Sequence, residues 1–205
     1  MIKIENIDVY GWEAAIRGAR NPMNSWHLMD SCTNNGEFEI GEKDYDLLRR
    51  LTRAGPEHRK WNRMIAVTMD ITAPLYWWKE YDTYKVATVA NSCSTMHKIQ
   101  AKEFMLDDFS CEHLEEYPKW LLSEVIVELN KNREDFNKTK DKNYWWQMIQ
   151  LLPSSYNQKR TVHLNYETLG AMYRQRKHHK LDEWREFCSM IEGLPYSEFI
   201  TMKFE

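Results

Sequence analysis

The sequence predicts a single α+β domain spanning residues 1-205, with a mixed sheet packed by helices. Short apolar runs rich in β-branched residues, typical of strands, alternate with longer segments whose apolar side chains recur at helical spacing. The chain has 205 residues and is 42% hydrophobic, which is enough for one substantial core. It shows no internal repeat, so we expect neither a solenoid nor an array.

In the first part of the chain, turn and stop signals separate the predicted elements. Asn21-Pro22 and Gly55-Pro56 are typical helix stops, and the polar stretch around Asn34-Asn35-Gly36 is typical of a loop. We predict a strand over 2–10, a helix over 12–20, a long surface loop over 24–42, a helix over 42–54, a buried strand over 64–72 and a helix whose first residue is Pro74.

The second part of the chain begins with a long amphipathic helix from Pro118, whose apolar side chains recur along one face. We predict this helix over 118–132, a charged and solvated connection over 131–142, a helix over 143–151, a strand over 159–164 and two closing helices over 167–178 and 181–191.

Composition excludes several classes of protein. The net charge of −3 gives no general attraction to duplex nucleic acid, so an anion must be bound locally. The sequence has neither a signal pattern nor an apolar run near the about 20 residues of a membrane span, which predicts a soluble, cytoplasmic protein without a membrane partner. The four cysteines lie far apart without a CxxC pair, which argues against a zinc ribbon or a disulfide scaffold.

Tryptophans occur in adjacent pairs at Trp77-Trp78 and Trp145-Trp146. Adjacent residues of a helix diverge, so each pair is expected to face the core and a second surface at once. This pattern predicts a homo-oligomer.

A polar patch follows the first of these pairs. Lys85, Thr88, Asn91, Ser94 and His97 recur every three residues, so a helix here would carry one polar stripe able to bind a phosphate and a base edge. The alternative is a water-exposed helix face or a packing surface rich in serine and threonine.

Three further features have simpler explanations. Cys93 would be a nucleophile if Lys85 or His97 lowered its pKa, but a free cysteine is more often buried and inert. The basic run 173–180 either binds an anion or offsets the negative end of a helix dipole. His178-His179 lacks the spaced carboxylates or thiols of a metal site, so we expect no metal.

The order of the motifs resembles that of the flavin-dependent thymidylate synthases. Thr83-Tyr84-Lys85 stands where that family has arginine-histidine-arginine, and only Lys85 keeps the charge. Thr88, Asn91 and Ser94 correspond to the serine, asparagine and second serine that follow, and Met96 replaces the closing arginine.

The resemblance extends over most of the chain. The corresponding segments are Ala14–Arg17 and His58 upstream, and Leu152–Tyr156, Thr161–Asn165, Met172–Arg176 and Asp182–Trp184 downstream. It implies that Arg174 or Arg176 is the pyrimidine-activating, catalytic arginine. The implied nucleotide-binding residues are Lys85, Thr88, Asn91, Ser94, Gln147 and Gln150, and the implied cofactor-binding residues are His58, Tyr84, His163 and Asn165.

The resemblance also implies FAD, with NADPH and a folate, and a homotetramer whose sites lie at subunit interfaces. Two of the family's phosphate- and flavin-binding arginines are absent here, and each hydrogen bond to a charged group contributes about 1.5–3 kcal/mol. Two functions therefore stay open: a divergent enzyme that transfers a one-carbon unit to C5 of a deoxyuridylate-type nucleotide, and a non-catalytic sensor or sponge for a nucleotide or nucleotide signal. A purely structural oligomer is the third class, and it would bind no nucleotide.

Overall fold

The computed structural model describes residues 2–204, which form helices and strands in the α+β arrangement expected from the sequence. The helices are α1 Trp12–Arg20, α2 Glu42–Arg53, α3 Leu75–Tyr81, α4 Glu116–Thr139, α5 Lys142–Leu151, α6 Tyr166–Arg176, α7 Asp182–Glu192 and α8 Glu198–Thr201. The strands are β1 Lys3–Tyr10, β2 Cys32–Asn34, β3 Glu37–Glu39, β4 Ala66–Pro74, β5 Val89–Ser92 and β6 Asn157–Asn165. Four strands form one sheet in the order β1-β4-β6-β5, and β2 pairs with β3 in a separate antiparallel hairpin.

The chain divides into two compact groups, described in turn. The first comprises residues 2–5, 70–83 and 90–161, and the second comprises residues 6–69, 84–89 and 162–204. The single domain over 1-205 stays a prediction. Within the described residues, every helix is too short or too polar to cross a membrane.

The core of the first group lies where α4 packs on α5. Its buried members are Ile99, Phe104, Phe109, Leu122, Ile126, Leu129 and Met148. The predicted solvated connection over 131–142 is wrong for most of its length, because α4 runs on to Thr139. Asn132 and Phe136 continue the buried stripe at helical spacing between the charges, so the same face still packs inward.

Three other predictions differ from the structure. Trp77 and Trp78 are both fully buried, with ring centroids 4.8 Å apart, so this pair does not present a second surface. The segment after Tyr84 is not a helix with a polar stripe. Its backbone turns at Ala87, where φ is 57°, and β5 then begins at Val89. Pro74 is the last residue of β4 and the N-cap of α3, so this helix begins at Leu75, one residue later than predicted.

The second group contains α1, α2, a 3-10 helix over Lys60–Met64, and helices α6 to α8. Gly11 starts α1 with φ of 100°, and a Cβ at this position would lie 2.3 Å from the carbonyl oxygen of Met64. Only glycine has the conformation and the space that this approach requires. The start of α1 is thereby held against the segment that enters β4.

The predicted long loop over 24–42 is wrong in part, because it contains the β2–β3 hairpin. Asn35 and Gly36 both have positive φ, the conformation of a type I′ hairpin turn. An ion pair holds α1 to α2: Arg20 Nε donates to Asp44 Oδ1 at 2.6 Å, and both side chains are buried. Arg20 Nη2 lies 2.6 Å from the same oxygen but without hydrogen-bond alignment.

The other carboxylate oxygen of Asp44 anchors the loop backbone. It accepts hydrogen bonds from the backbone N–H of Asp30 and Ser31, both at 3.0 Å, and from the Ser31 hydroxyl at 2.6 Å. Asp30 reciprocates by accepting from the backbone N–H of Lys43 and Asp44 in the first turn of α2. The loop and the helix therefore cap one another.

Candidate functional site

Helix α6 carries the candidate catalytic arginines, and its start is fixed by two hydrogen bonds. The Asn165 side chain accepts from the backbone N–H of Thr168 at 2.9 Å, which makes it an N-cap. The backbone N–H of Tyr166 donates to the Ile65 carbonyl at 3.1 Å. Leu169 and Met172 are buried and hold one side of α6 against the core, whereas the Arg174 side chain is exposed. Asn165, predicted to bind a cofactor, thus has a defined role in the helix itself.

Arg174 is exposed and lies along one face of α6. Its Nη1 atom approaches Gly170, where a Cβ would stand only 3.2 Å away. Within residues 2–204, no hydrogen bond or ion pair engages its guanidinium. Arg174 is therefore a cation with its donors free for an anion.

A closed ion pair lies beside this arginine. Arg59 donates from Nε to Glu167 Oε2 at 2.8 Å and from Nη2 to Glu167 Oε1 at 3.0 Å, so both carboxylate oxygens are occupied. Partial removal from water lowers the pKa of Arg174, the charge of Arg59 lowers it further, and Glu167 opposes both. An anion bound here would relieve the repulsion between the two arginines.

Arg176 has a different environment. Its guanidinium carbon lies 4.9 Å from the centroid of the Trp184 ring and 5.6 Å from that of the Tyr84 ring, and its Nε donates to the Tyr84 hydroxyl at 2.9 Å. The Tyr84 hydroxyl in turn donates to the Gln175 side chain at 2.8 Å. Arg176 is consequently held by cation–π and hydrogen-bond contacts within the chain.

The segment Tyr84–Val89 belongs to the same group as α6 and approaches it near both of its ends. Tyr84 contacts Gln175 and Arg176, and the carbonyl of Val86 lies 3.5 Å from the Thr168 hydroxyl. Lys85 is exposed between these two attachments. The Thr88 hydroxyl donates to the carbonyl of Tyr84 in a short hydrogen bond, which closes the turn.

Four predicted nucleotide-binding residues belong to the first group instead. These are Asn91 and Ser94, in and after β5, and Gln147 and Gln150 on α5, and all four are exposed. The Ser94 hydroxyl accepts from the backbone N–H of His97 at 3.0 Å. That these residues share one cavity with Lys85 and Arg174 stays a prediction.

His58 lines a cavity of about 570 Å³ in the second group. Its walls include the apolar side chains of Pro22, Met23, Leu51 and Trp61, with Lys60 supplying a cation. Trp61 is buried, and its indole N–H has no acceptor among residues 2–204. The cavity can therefore take a flat, largely apolar group.

The remaining candidates are placed as follows. His163 is exposed, and its Nδ1 lies 3.3 Å from the hydroxyl of Tyr10. Cys93 is exposed and its backbone N–H donates to the Lys159 carbonyl, whereas burial raises the pKa of the Cys188 thiol to about 11. In the described part of the chain, no cluster of three His, Cys, Asp or Glu side chains could hold a metal ion.

Sequence reasoning missed Arg59, Glu167 and Gly170. Arg59 adjoins the candidate His58, and Glu167 and Gly170 precede the candidate Arg174 at helical spacing. All three therefore lie close in sequence to residues that the motifs had already identified. Their contact depends on residues 108 positions apart in the chain, which no local pattern reveals.

No protein-family model matches the sequence, and no curated protein matches it by sequence. By structure, the chain is similar to thymidylate synthase X (ThyX) from Helicobacter pylori with FAD and dUMP, with a TM-score of 0.74 and 15% identity over 97% of this chain and 96% of that one. Another structure of the flavin-dependent H. pylori enzyme, complexed with FAD and dUMP, has a TM-score of 0.68 and 15% identity over 96% of each chain. The UMP/dUMP methylase PolB from Streptomyces cacaoi, bound with 5-Br dUMP, has a TM-score of 0.62 and 14% identity over 94% of this chain and 89% of that one. This chain therefore has the fold of the flavin-dependent thymidylate synthases.

Proposed function

We propose that this protein binds a pyrimidine nucleotide of the dUMP type, with Arg174 as its principal anion contact. The observation that carries the proposal is the free guanidinium of Arg174 beside the closed Arg59–Glu167 pair. A guanidinium offers several donors in one plane, which suits a deprotonated pyrimidine or a phosphate. The structural neighbours that share this fold were solved with dUMP or 5-Br dUMP.

In the enzymatic form of this proposal, the ligand is a deoxyuridylate-type nucleotide that receives a one-carbon unit at C5. Arg174 holds the base and stabilises negative charge on the pyrimidine, and Lys85 binds the phosphate. Thr88, Asn91, Ser94, Gln147 and Gln150 complete the nucleotide contacts in the proposed assembly. The proposed location is the cytoplasm, where such a nucleotide is available.

The cavity lined by His58 is the proposed site of the FAD ring. Its apolar walls suit a flat ring system. FAD reduced by NADPH would supply the reducing equivalents for one-carbon transfer from a folate. Tyr84 and His163 were expected to contact the cofactor, but Tyr84 is engaged with Arg176 and His163 lies close to Tyr10.

A second candidate function is non-catalytic binding of a nucleotide or nucleotide signal. The feature that favours it is the loss of charge in the phosphate-binding motif, where Thr83 and Met96 stand in place of arginines. Two lost hydrogen bonds to phosphate, at about 1.5–3 kcal/mol each, would change the ligand or its affinity before they changed the fold. A sensor or sponge would retain Arg174 and lose the flavin.

Calorimetric titration of the purified protein with dUMP tests the shared part of both functions. We expect Arg174→Ala to weaken dUMP binding roughly 10- to 150-fold, because one hydrogen bond to a charged group contributes about 1.5–3 kcal/mol. Arg50→Ala removes an exposed arginine of α2 that pairs with Asp46 and lies outside these motifs, and it serves as the matched control. Equal affinities of wild type and Arg174→Ala would refute the proposal.

Flavin binding separates the two candidate functions. Absorbance and thermal shift with FAD should report binding to wild type if the protein is an enzyme, and His58→Ala should weaken it. A protein that responds to dUMP but not to FAD is the sensor or sponge. A protein that responds to neither is the structural oligomer.

The proposed assembly is a homo-oligomer, and α4 offers the surface for it. Opposite its buried stripe, α4 presents Tyr117, Trp120, Leu121 and Val127, which are between 43% and 67% exposed. Exposed apolar side chains clustered on a helix surface are typical of an interface. The proposed partner is a second copy of the same chain.

Charge complementarity supports this choice of partner. If two α4 helices pair antiparallel about a twofold axis between Val127 and Glu128, Glu124 of each copy faces Lys131 of the other. The same axis places Tyr117 opposite Lys138, which suits a cation–π contact. In the proposed homotetramer, nucleotide sites lie at subunit interfaces.

A further inference from the structure

The Arg174 guanidinium lies next to a glycine in the same helix, α6. Gly170 is buried in α6, one turn before Arg174, and a Cβ there would lie 3.2 Å from Arg174 Nη1 and 3.3 Å from the Ile200 carbonyl oxygen. Alanine is favoured over glycine within a helix, so the sequence accepts a less stable helix at this point. The space gained is occupied by the guanidinium of Arg174.

Three of the residues involved share one side of α6. With roughly 3.6 residues per turn, Glu167, Gly170 and Arg174 lie on the same face. Glu167 is thus the carboxylate on that face that Arg174 would otherwise neutralise, at a spacing of two turns. Arg59 competes with Arg174 for this carboxylate through a bidentate ion pair.

We propose that Gly170 and the Arg59–Glu167 ion pair form a seat that holds the Arg174 guanidinium against the α6 backbone and leaves its charge available to the nucleotide. Gly170, Arg59 and Glu167 are positioning residues, since they act through Arg174. The inference rests on the proposed function for the identity of the ligand, but the seat exists independently of that ligand.

The environment of Arg174 supports this arrangement. Partial desolvation and the nearby charge of Arg59 both lower its pKa, so the free protein keeps a cation in unfavourable surroundings. A bound anion removes that penalty, which makes binding at this seat stronger than at a fully solvated arginine. Arg176, which contacts the Tyr84 and Trp184 rings, cannot replace it without breaking those contacts.

A double-mutant cycle tests the role of Gly170. We expect Gly170→Ala to weaken dUMP binding at least 10-fold, because the far end of the Arg174 side chain must move away from the new Cβ. The double variant Gly170→Ala with Arg174→Ala should bind no more weakly than Arg174→Ala alone. Additive losses would overturn the role of Gly170. Gly193→Ala, at the C-cap of α7 with a clearance of 3.4 Å, is the control glycine.

A charge-rescue experiment tests the ion pair. Arg59→Met leaves the Glu167 carboxylate without its partner, so it should capture Arg174 and weaken dUMP binding. Adding Glu167→Gln to Arg59→Met removes the competing carboxylate and should restore affinity to within about 3-fold of wild type. A purely structural role predicts no rescue, and its absence would overturn this part of the proposal.

A measurement without nucleotide separates failure of the seat from failure of the proposed function. The NMR signal of the Arg174 Nε–H group, assigned by its loss in Arg174→Ala, should be ordered in wild type and shifted and broadened in Gly170→Ala. An unchanged signal would overturn the seat even if dUMP binds. An ordered, Gly170-dependent signal in a protein that does not bind dUMP would uphold the seat and overturn the proposed ligand.

Discussion

The guanidinium of Arg176 lies over the indole of Trp184, with its central carbon 4.9 Å from the ring centroid. Arg174, two residues earlier on the same helix, contacts no aromatic ring and forms no ion pair among residues 2–204. Helix geometry sends the two side chains to different faces, so one arginine is used in packing and the other is free for a ligand. The resemblance to the known family could not choose between them.

Because of this difference, we expect the two substitutions to change the free energy of unfolding by different amounts. Arg176→Ala should lower the free energy of unfolding by about 1–3 kcal/mol, because it removes a cation–π contact and the hydrogen bond to Tyr84. Arg174→Ala should change it by no more than about 0.5 kcal/mol. Urea unfolding followed by tryptophan fluorescence measures both, and equal losses would contradict the assignment.

The Arg20–Asp44 pair predicts a loss of stability in acid. Burial alone would raise the pKa of Asp44, but hydrogen bonds from Ser31, the Asp30 backbone and Arg20 lower it below its ordinary value of 3.8. A lowered folded-state pKa means that the contribution to stability is complete above 3.8 and is lost as the pH falls through the folded-state pKa.

Asp44→Asn should therefore destabilise the protein by about 3–5 kcal/mol at neutral pH, because it leaves Arg20 buried without a counter-charge. It should also flatten the dependence of stability on pH below 4 by about the contribution of one carboxylate. Asp46→Asn, on the same helix but with exposed partners Arg49 and Arg50, should cost no more than about 1 kcal/mol. Unfolding midpoints measured from pH 7 to pH 2 provide the check, and parallel curves for wild type and Asp44→Asn would contradict it.

The exposed apolar side chains of α4 predict self-association, which charge substitutions should weaken and a compensating substitution should restore. Trp120→Glu should reduce the oligomer to a smaller species in light scattering coupled to size exclusion, since a charge would be buried in an apolar contact. Glu124→Lys alone should weaken assembly by placing two lysines opposite each other, and adding Lys131→Glu should restore it. Leu28→Glu, at an exposed apolar position outside α4, is the control. Failure of the charge swap to restore assembly would exclude the antiparallel geometry.

We expect the Gln158 side chain to protect the segment around Cys93 from amide hydrogen exchange. Its buried side chain donates from Nε2 to the Cys93 carbonyl at 2.7 Å and accepts from Arg160 Nε at 2.9 Å. Gln158→Leu should speed hydrogen exchange over residues 90–97 roughly 10-fold, since one hydrogen bond contributes about 1 kcal/mol and its loss leaves a carbonyl unpaired. Gln150→Leu, an exposed amide on α5, should leave exchange there unchanged. Unaltered exchange in Gln158→Leu would show that β5 is held by other contacts.

Elements with local start and stop signals were predictable from the sequence. Helices α1 and α2 lie within a residue of their predicted ends, because Asn21-Pro22 and Gly55-Pro56 follow them closely. The β2–β3 hairpin escaped prediction although Asn35-Gly36 is a hairpin turn, because strands of three residues are too short to show a period of two. The far end of α4 escaped because Phe136 stands alone among charges.

The candidate site divides in the same way. Arg174 could be found from its place in a motif, but its availability depends on Arg59, which pairs with Glu167 across a long sequence separation. The polar patch after Tyr84 was assigned helical spacing, whereas Ala87 adopts positive φ and turns the chain. Tertiary contact overrides a regular spacing of polar residues, because such residues bury too little surface to fix a helix.

The tight fit at Gly11 has a consequence for genetic screens. Any side chain there would push against Met64, and the neighbouring Ile65 carbonyl receives the first backbone N–H of α6. Damage at position 11 would thus be transmitted to the helix that carries Arg174. A mutational survey scored by the yield of folded protein would flag Gly11, although this residue has no side chain of its own.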